Sequence, residues 1–96
     1  MNIPSKILVG GIEYDVEFQQ FIEIDSDRNF QGVCDYQNTK IKILESLSEE
    51  RKEDVFFHEV THAIFYEAGY DDQDEEMIIR IGKVLHQLIK NNEFRR

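Results

Sequence analysis

The sequence predicts an α+β fold: a small, twisted, mostly antiparallel sheet packed on two helices. Three observations point there. Residues 12–18 alternate apolar and polar, the period of a half-buried strand. From residue 49 onward apolar residues recur at helical spacing. The strand-like segments all precede the helix-like ones, which is the order of an α+β chain and not of an alternating α/β one. At 96 residues the chain is expected to be a single domain, residues 1–96, with no room for a second core.

Taken in order, "KILVGGIEYDVEF" (6–18) has apolar runs on both sides of Gly10-Gly11, a pair suited to the positive φ angles of a tight hairpin turn. After the turn, Ile12, Tyr14, Val16 and Phe18 point one way and Glu13, Asp15, Glu17 and Gln19 the other. "DSDRN" (25–29) reads as a polar loop. Its aspartates imitate the start of a calcium loop, but the glycine required at the sixth position is Phe30 and the glutamate required at the twelfth is Tyr36, so that reading is discarded. "FQGVCDY" and "KIKIL" are two more short strands joined around Gln37-Asn38. Ser46 with Glu49 forms a capping-box pattern, and Ser48 is a second cap candidate for a helix over about 49–68. Gly69 stops that helix, with Tyr70 folding back on Phe65. After the polar turn "DDQD", a last helix runs over about 74–91 with Ile78, Ile81, Leu85, Leu88 and Ile89 on a stripe.

The bulk properties exclude several classes of function. Apolar residues make up 41% of the chain, with seven Phe and four Tyr available for a core, so a disordered chain is not expected. The net charge of −9 argues against a nucleic-acid footprint or attachment to an anionic membrane. The acidic excess lies in 49–54 and 71–76. Its plain reading is solvated helix ends, and its alternative is a field that draws in a cation or a basic substrate. A single cysteine, Cys34, allows no internal disulfide and suits a reducing compartment. With no signal-like or membrane-length apolar run, a cytoplasmic protein is the expectation.

The chemistry concentrates in "HEVTH", residues 58–62, which takes two of the chain's three histidines. At 100° per residue, His58 and His62 lie about 40° apart on one helix face, with Glu59 about 60° beyond His62. Val55, Phe65 and Tyr66 surround that face, and Phe56, Phe57, Val60, Ala63 and Ile64 occupy the other. A helix apolar both behind and around its histidines is a helix sandwiched between the sheet and something else. Two imidazoles one turn apart suit a zinc ion, and the flanking Glu59 is placed to act as general base on a metal-activated water and not as a ligand.

"FFHEVTHAIFYEAG" resembles the active-site helix of zincin metallopeptidases. Over nearly its full length, through "GVCDY", "KIKIL", "LSEE" and "LHQLI", the chain is similar to the small phage and prophage proteins grouped with ImmA/IrrE-like metallopeptidases. The resemblance implies a minimal zincin-like, gluzincin-like domain whose HExxH helix packs on the sheet. It also implies a strand edge, around Val33–Tyr36 or Ile41–Leu44, where a peptide adds by β-augmentation. Its third zinc ligand is generally a carboxylate from the following helix. The position where such proteins often carry it corresponds here to Ile79, which leaves Glu76 as first choice, Glu75 as second and His86 as a further option. Cys34 is a weaker candidate for the metal, and Tyr66 for steadying an oxyanion, with core packing the plainer role of each. The expected function is zinc-dependent peptide hydrolysis, with a peptide or protein substrate and, for a phage-encoded chain, a site of action in the bacterial host cytoplasm. The rivals are a degenerate zincin that binds a protein partner without cleaving it, and a purely structural zinc domain; an open coordination position distinguishes an enzyme from the latter.

Overall fold

A computed structural model describes residues 2–94 as a four-stranded mixed sheet with two helices. The strands are β1 (Lys6–Val9), β2 (Ile12–Gln19), β3 (Gly32–Asp35) and β4 (Lys40–Leu44), and the helices are α1 (Glu49–Glu67) and α2 (Glu75–Lys90). The β1–β2 hairpin closes at Val9↔Ile12 over Gly10 and Gly11, at φ 60° and 83°. Two consecutive positive φ angles are the type I′ requirement that glycines meet without strain.

The strand order is β1-β2-β4-β3, and the central pairing is parallel, with Val16 opposite Ile41 and Phe18 opposite Ile43. The sheet is mostly antiparallel, as expected, but its middle is not. After β2 the chain crosses over residues 20–31 to the far edge, lays down β3, and returns through a hairpin so that β4 fills the gap. Ile22, 3% exposed, anchors the crossing. "DSDRN" forms a miniature hairpin within it: Ile24 and Asp27 exchange backbone hydrogen bonds of 2.9 and 3.0 Å around Asp25 and Ser26, both at positive φ.

One face of the sheet is the core. Tyr14, Val16, Ile41 and Ile43 pack against Val55, Phe56 and Ala63 of α1. Ile12 and Phe18, expected to share the inward face, sit toward the strand's ends and are exposed, Phe18 meeting α1 only through Lys52, whose Nζ lies 5.2 Å from its ring centroid. Tyr14 is fully buried, and its hydroxyl donates to Glu67 Oε2 at 2.7 Å, tying the sheet to the last turn of α1.

The helix ends follow side-chain chemistry. Ser48, rather than Ser46, caps α1 and accepts from the Arg51 amide at 3.2 Å. At the other end Gly69 takes φ 101°, its amide donates to the Tyr66 carbonyl and the Tyr70 amide to the Phe65 carbonyl, both at 2.9 Å. With the Phe65 and Tyr70 rings in contact, this is a Schellman stop. Asp74 caps α2 through the Glu76 amide at 3.0 Å.

α2 packs on α1, so α1 lies between the sheet and α2. This accounts for the apolar residues both behind and around the histidines of α1. On α2, Ile78 and Gly82 are buried, and Leu85 borders the core, whereas Ile81, Leu88 and Ile89 of the expected stripe are exposed. Among the described residues no helix is long and apolar enough to cross a membrane.

Candidate metal centre

The position of α2 decides which acidic residue reaches the histidines. Gly82 lies where a side chain would meet Thr61 Oγ1 at 3.1 Å and the His58 Cα at 3.7 Å. That close approach fixes the side of α2 carrying Ile78 and Gly82 against α1, and Glu75 opens the helix one turn before Ile78 on the same side. Glu75 Oε1 is 2.8 Å from His58 Nε2, and its Oε2 is 3.3 Å from His62 Nε2. The two imidazoles stand nearly perpendicular, with centroids 4.9 Å apart. One ligand atom from each of His58, His62 and Glu75 lies within 4.8 Å of the others, the one such group of metal-ligating side chains among the described residues.

Gln73 orients this group. Its Nε2 donates to the Tyr70 carbonyl at 3.0 Å and more weakly to the His62 carbonyl at 3.4 Å, which turns its Oε1 toward His62 Nδ1 at 2.6 Å. Nδ1 therefore carries the proton, and the Nε2 lone pair faces Glu75 and His58. Sequence reasoning passed over Gln73 as part of a polar turn. The one available signal was a neutral amide between acidic neighbours, eleven residues beyond His62.

Glu59 is 7% exposed, and no hydrogen-bond donor among the described residues reaches its carboxyl. Burial, helped by the Glu75 charge, pushes its pKa up to about 8. The strand beside it is β3, at Gly32: a Cβ there would lie 2.4 Å from Val55 Cγ1, 3.2 Å from Glu59 Oε2 and 3.2 Å from the Lys42 carbonyl. Gly32 thus lets the edge strand pass close to the Glu59 carboxyl. Burial of His58 lowers its pKa despite the opposing Glu75 charge, and so favours the neutral imidazole that can ligate.

Other candidates are not in the group. Glu76, preferred from the sequence, turns outward and pairs with Arg80 at 2.8 Å, because one helical step rotates it about 100° from Glu75. His86 binds Glu53 through Nε2 at 2.5 Å and Asp54 through Nδ1 at 3.1 Å, and stacks on Phe57, so both ring nitrogens are engaged. Cys34 packs against the core, its thiol pushed up to about 12 by burial first and then by Glu59, which keeps it protonated. Tyr66 stacks on Tyr36 with centroids 4.2 Å apart.

Two imidazole nitrogens and a carboxylate are a donor set suited to zinc, and three protein ligands leave a tetrahedral ion one open position. A desolvated carboxyl that titrates near neutrality can take and return a proton. Comparison of the chain with protein-family models, curated proteins and solved structures gives no match.

Proposed function

We propose that this protein is a zinc-dependent hydrolase of peptide bonds, a minimal zincin-type metallopeptidase of the ImmA/IrrE-like kind. The observation that carries the reading is the convergence of His58, His62 and Glu75, with the buried Glu59 alongside. A structural zinc site closes all four positions with protein donors, and no fourth ligating side chain joins this group among the described residues. Zinc bound there supplies Lewis acidity, lowering the pKa of a water and polarising an amide carbonyl. Glu59 takes the proton on its carboxylate as the water oxygen bonds to the carbonyl carbon, and returns it to the amine nitrogen when the C–N bond breaks. β3 is an edge strand, and an extended peptide added along it runs past Gly32 and Glu59.

Elemental analysis of the purified protein should find one zinc per chain, and digestion of a mixed peptide library should yield discrete cleavage products. Full zinc occupancy in a His58→Ala/His62→Ala double variant would sink the assignment. Glu75→Ala should lose zinc affinity strongly, whereas Glu76→Ala should stay near wild type. Equal affinities in those two variants would move the third ligand elsewhere. Gln73→Ala should cost about 10–100-fold in zinc affinity, the usual effect of removing a partner that orients a ligating histidine. Chelator competition measures it, and an unchanged affinity would show that Gln73 does not set the His62 ring.

A second reading, a protein-binding accessory module without cleavage, is favoured by the apolar side chains that α2 leaves exposed, among them Ile81, Val84 and Leu88. Such a module should hold its partner equally well in the wild type and in the Glu59→Gln variant, and should yield no cleavage products.

A further inference from the structure

A groove of about 240 Å³ runs between the two helices and borders the candidate metal centre at His58. Its walls are successive turns of each helix: Arg51, Asp54 and His58 on α1, and Ile79, Lys83 and His86 on α2, with Gly82 at the closest approach and Gln31 before β3 at the rim. His58 is shared: one side faces Glu75 and the other faces the groove. The volume is below the roughly 300–1,000 Å³ of pockets that enclose a whole small ligand. It suits a single side chain of a larger one.

The charge of the groove departs from that of the chain. In a protein of net charge −9, Lys6, Arg28, Lys40, Lys52, Arg80 and Lys90 each lie against a carboxylate. Three described cations have no such partner, Lys42, Arg51 and Lys83, and two of them, Arg51 and Lys83, line this groove. The one carboxylate in its walls, Asp54, lies 3.1 Å from His86 Nδ1. Two unpaired cations on facing helices therefore flank a small recess next to His58.

We propose that this groove is a specificity subsite for a carboxylate of the substrate, gripped between Arg51 and Lys83. Arg51 offers a planar fork that can bind a carboxylate through two parallel hydrogen bonds, and Lys83 a mobile point charge from the opposite helix. The carboxylate comes from an acidic side chain near the scissile bond or from a peptide C-terminus. The inference rests on the peptidase reading for what the ligand is, and on the groove alone for its charge.

Binding to the zinc-loaded Glu59→Gln protein separates the two. The probes are acetylated, amidated hexapeptides differing at one position as Glu, Gln or Lys, and a Gln peptide with a free C-terminus. The Glu peptide, or the free-C-terminus peptide if the terminus is the source, should bind about tenfold more tightly than the amidated Gln peptide, with the advantage shrinking as salt is raised. Arg51→Gln/Lys83→Gln should abolish the difference with zinc still at one per chain, and Arg51→Glu/Lys83→Glu should shift preference to the Lys peptide. Equal binding of all four peptides, no binding of any, or a preference that survives the double Gln variant overturns the subsite. If the charge preference holds but wild type hydrolyses none of the peptides, the subsite stands and the hydrolase reading falls. If wild type cleaves without the preference, the reverse is true.

Discussion

Glu59→Gln should lower peptide hydrolysis by about two to four orders of magnitude, the span expected for loss of a general base, while zinc stays at one per chain. The amide keeps the size of the side chain and removes its basicity. The same variant has a second signature in protein stripped of metal by a chelator. The Glu59 pKa is raised from 4.5 to about 8, so the folded state holds a proton that the unfolded state has already lost. Wild-type stability should therefore fall as pH rises through that window and level off above it, with a ceiling on the order of 5 kcal/mol. The substituted amide does not titrate. The variant should be the more stable protein above pH 8, with its advantage fading toward pH 5. Urea melts at both pH values measure this, and a Glu59→Gln protein no more stable than wild type at high pH would show that the carboxyl is solvated. A variant that cleaves as fast as wild type would contradict the mechanism.

Gly32→Ala should be the most damaging conservative change in the sheet. The added methyl would sit 2.4 Å from Val55 Cγ1, and Val55 is a short side chain 9% exposed beneath the strand, with no flexible end to swing aside. Overpacking of this kind costs about 1–3 kcal/mol, or roughly 5–20 °C in Tm for a chain of this size. Relief must come from β3 lifting off α1, which shifts the strand that passes 3.2 Å from Glu59 Oε2, so hydrolysis should fall beyond what the lost stability explains. Thermal unfolding together with assays well below Tm separates the two effects. A variant with wild-type Tm would mean that the strand edge yields freely.

Local signals carried much of the fold. Gly10-Gly11 specifies a turn that few other dipeptides make, Tyr14 and Val16 face the core as their alternation requires, and Gly69 stops α1 where it must. These features depend on neighbours within a few residues. The parallel pairing of β2 with β4 depends on where the crossing at 20–31 delivers the chain, and nothing in either strand encodes it. The preference for Glu76 over Glu75 came from where the resembled proteins carry their carboxylate, whereas the structure places Glu75 against the histidines. The face of α2 that meets α1 is set by Gly82 against Thr61, a contact between helices that the sequence of α2 alone does not reveal. His58, Glu59 and His62 were legible because one helix holds all three. Gln73 and Gly32 were not, since each acts on a residue distant in sequence.

α2 rests on α1, with Glu75 in its first turn and Lys83 and His86 farther along the same seam. A cation bound by His58, His62 and Glu75, as proposed, would clamp α2 to α1. The groove exists only while that helix is seated. If both proposed sites hold, their occupancy would be coupled through that shared docking equilibrium: whatever fills one would raise affinity at the other by the same factor, without any contact between the two ligands.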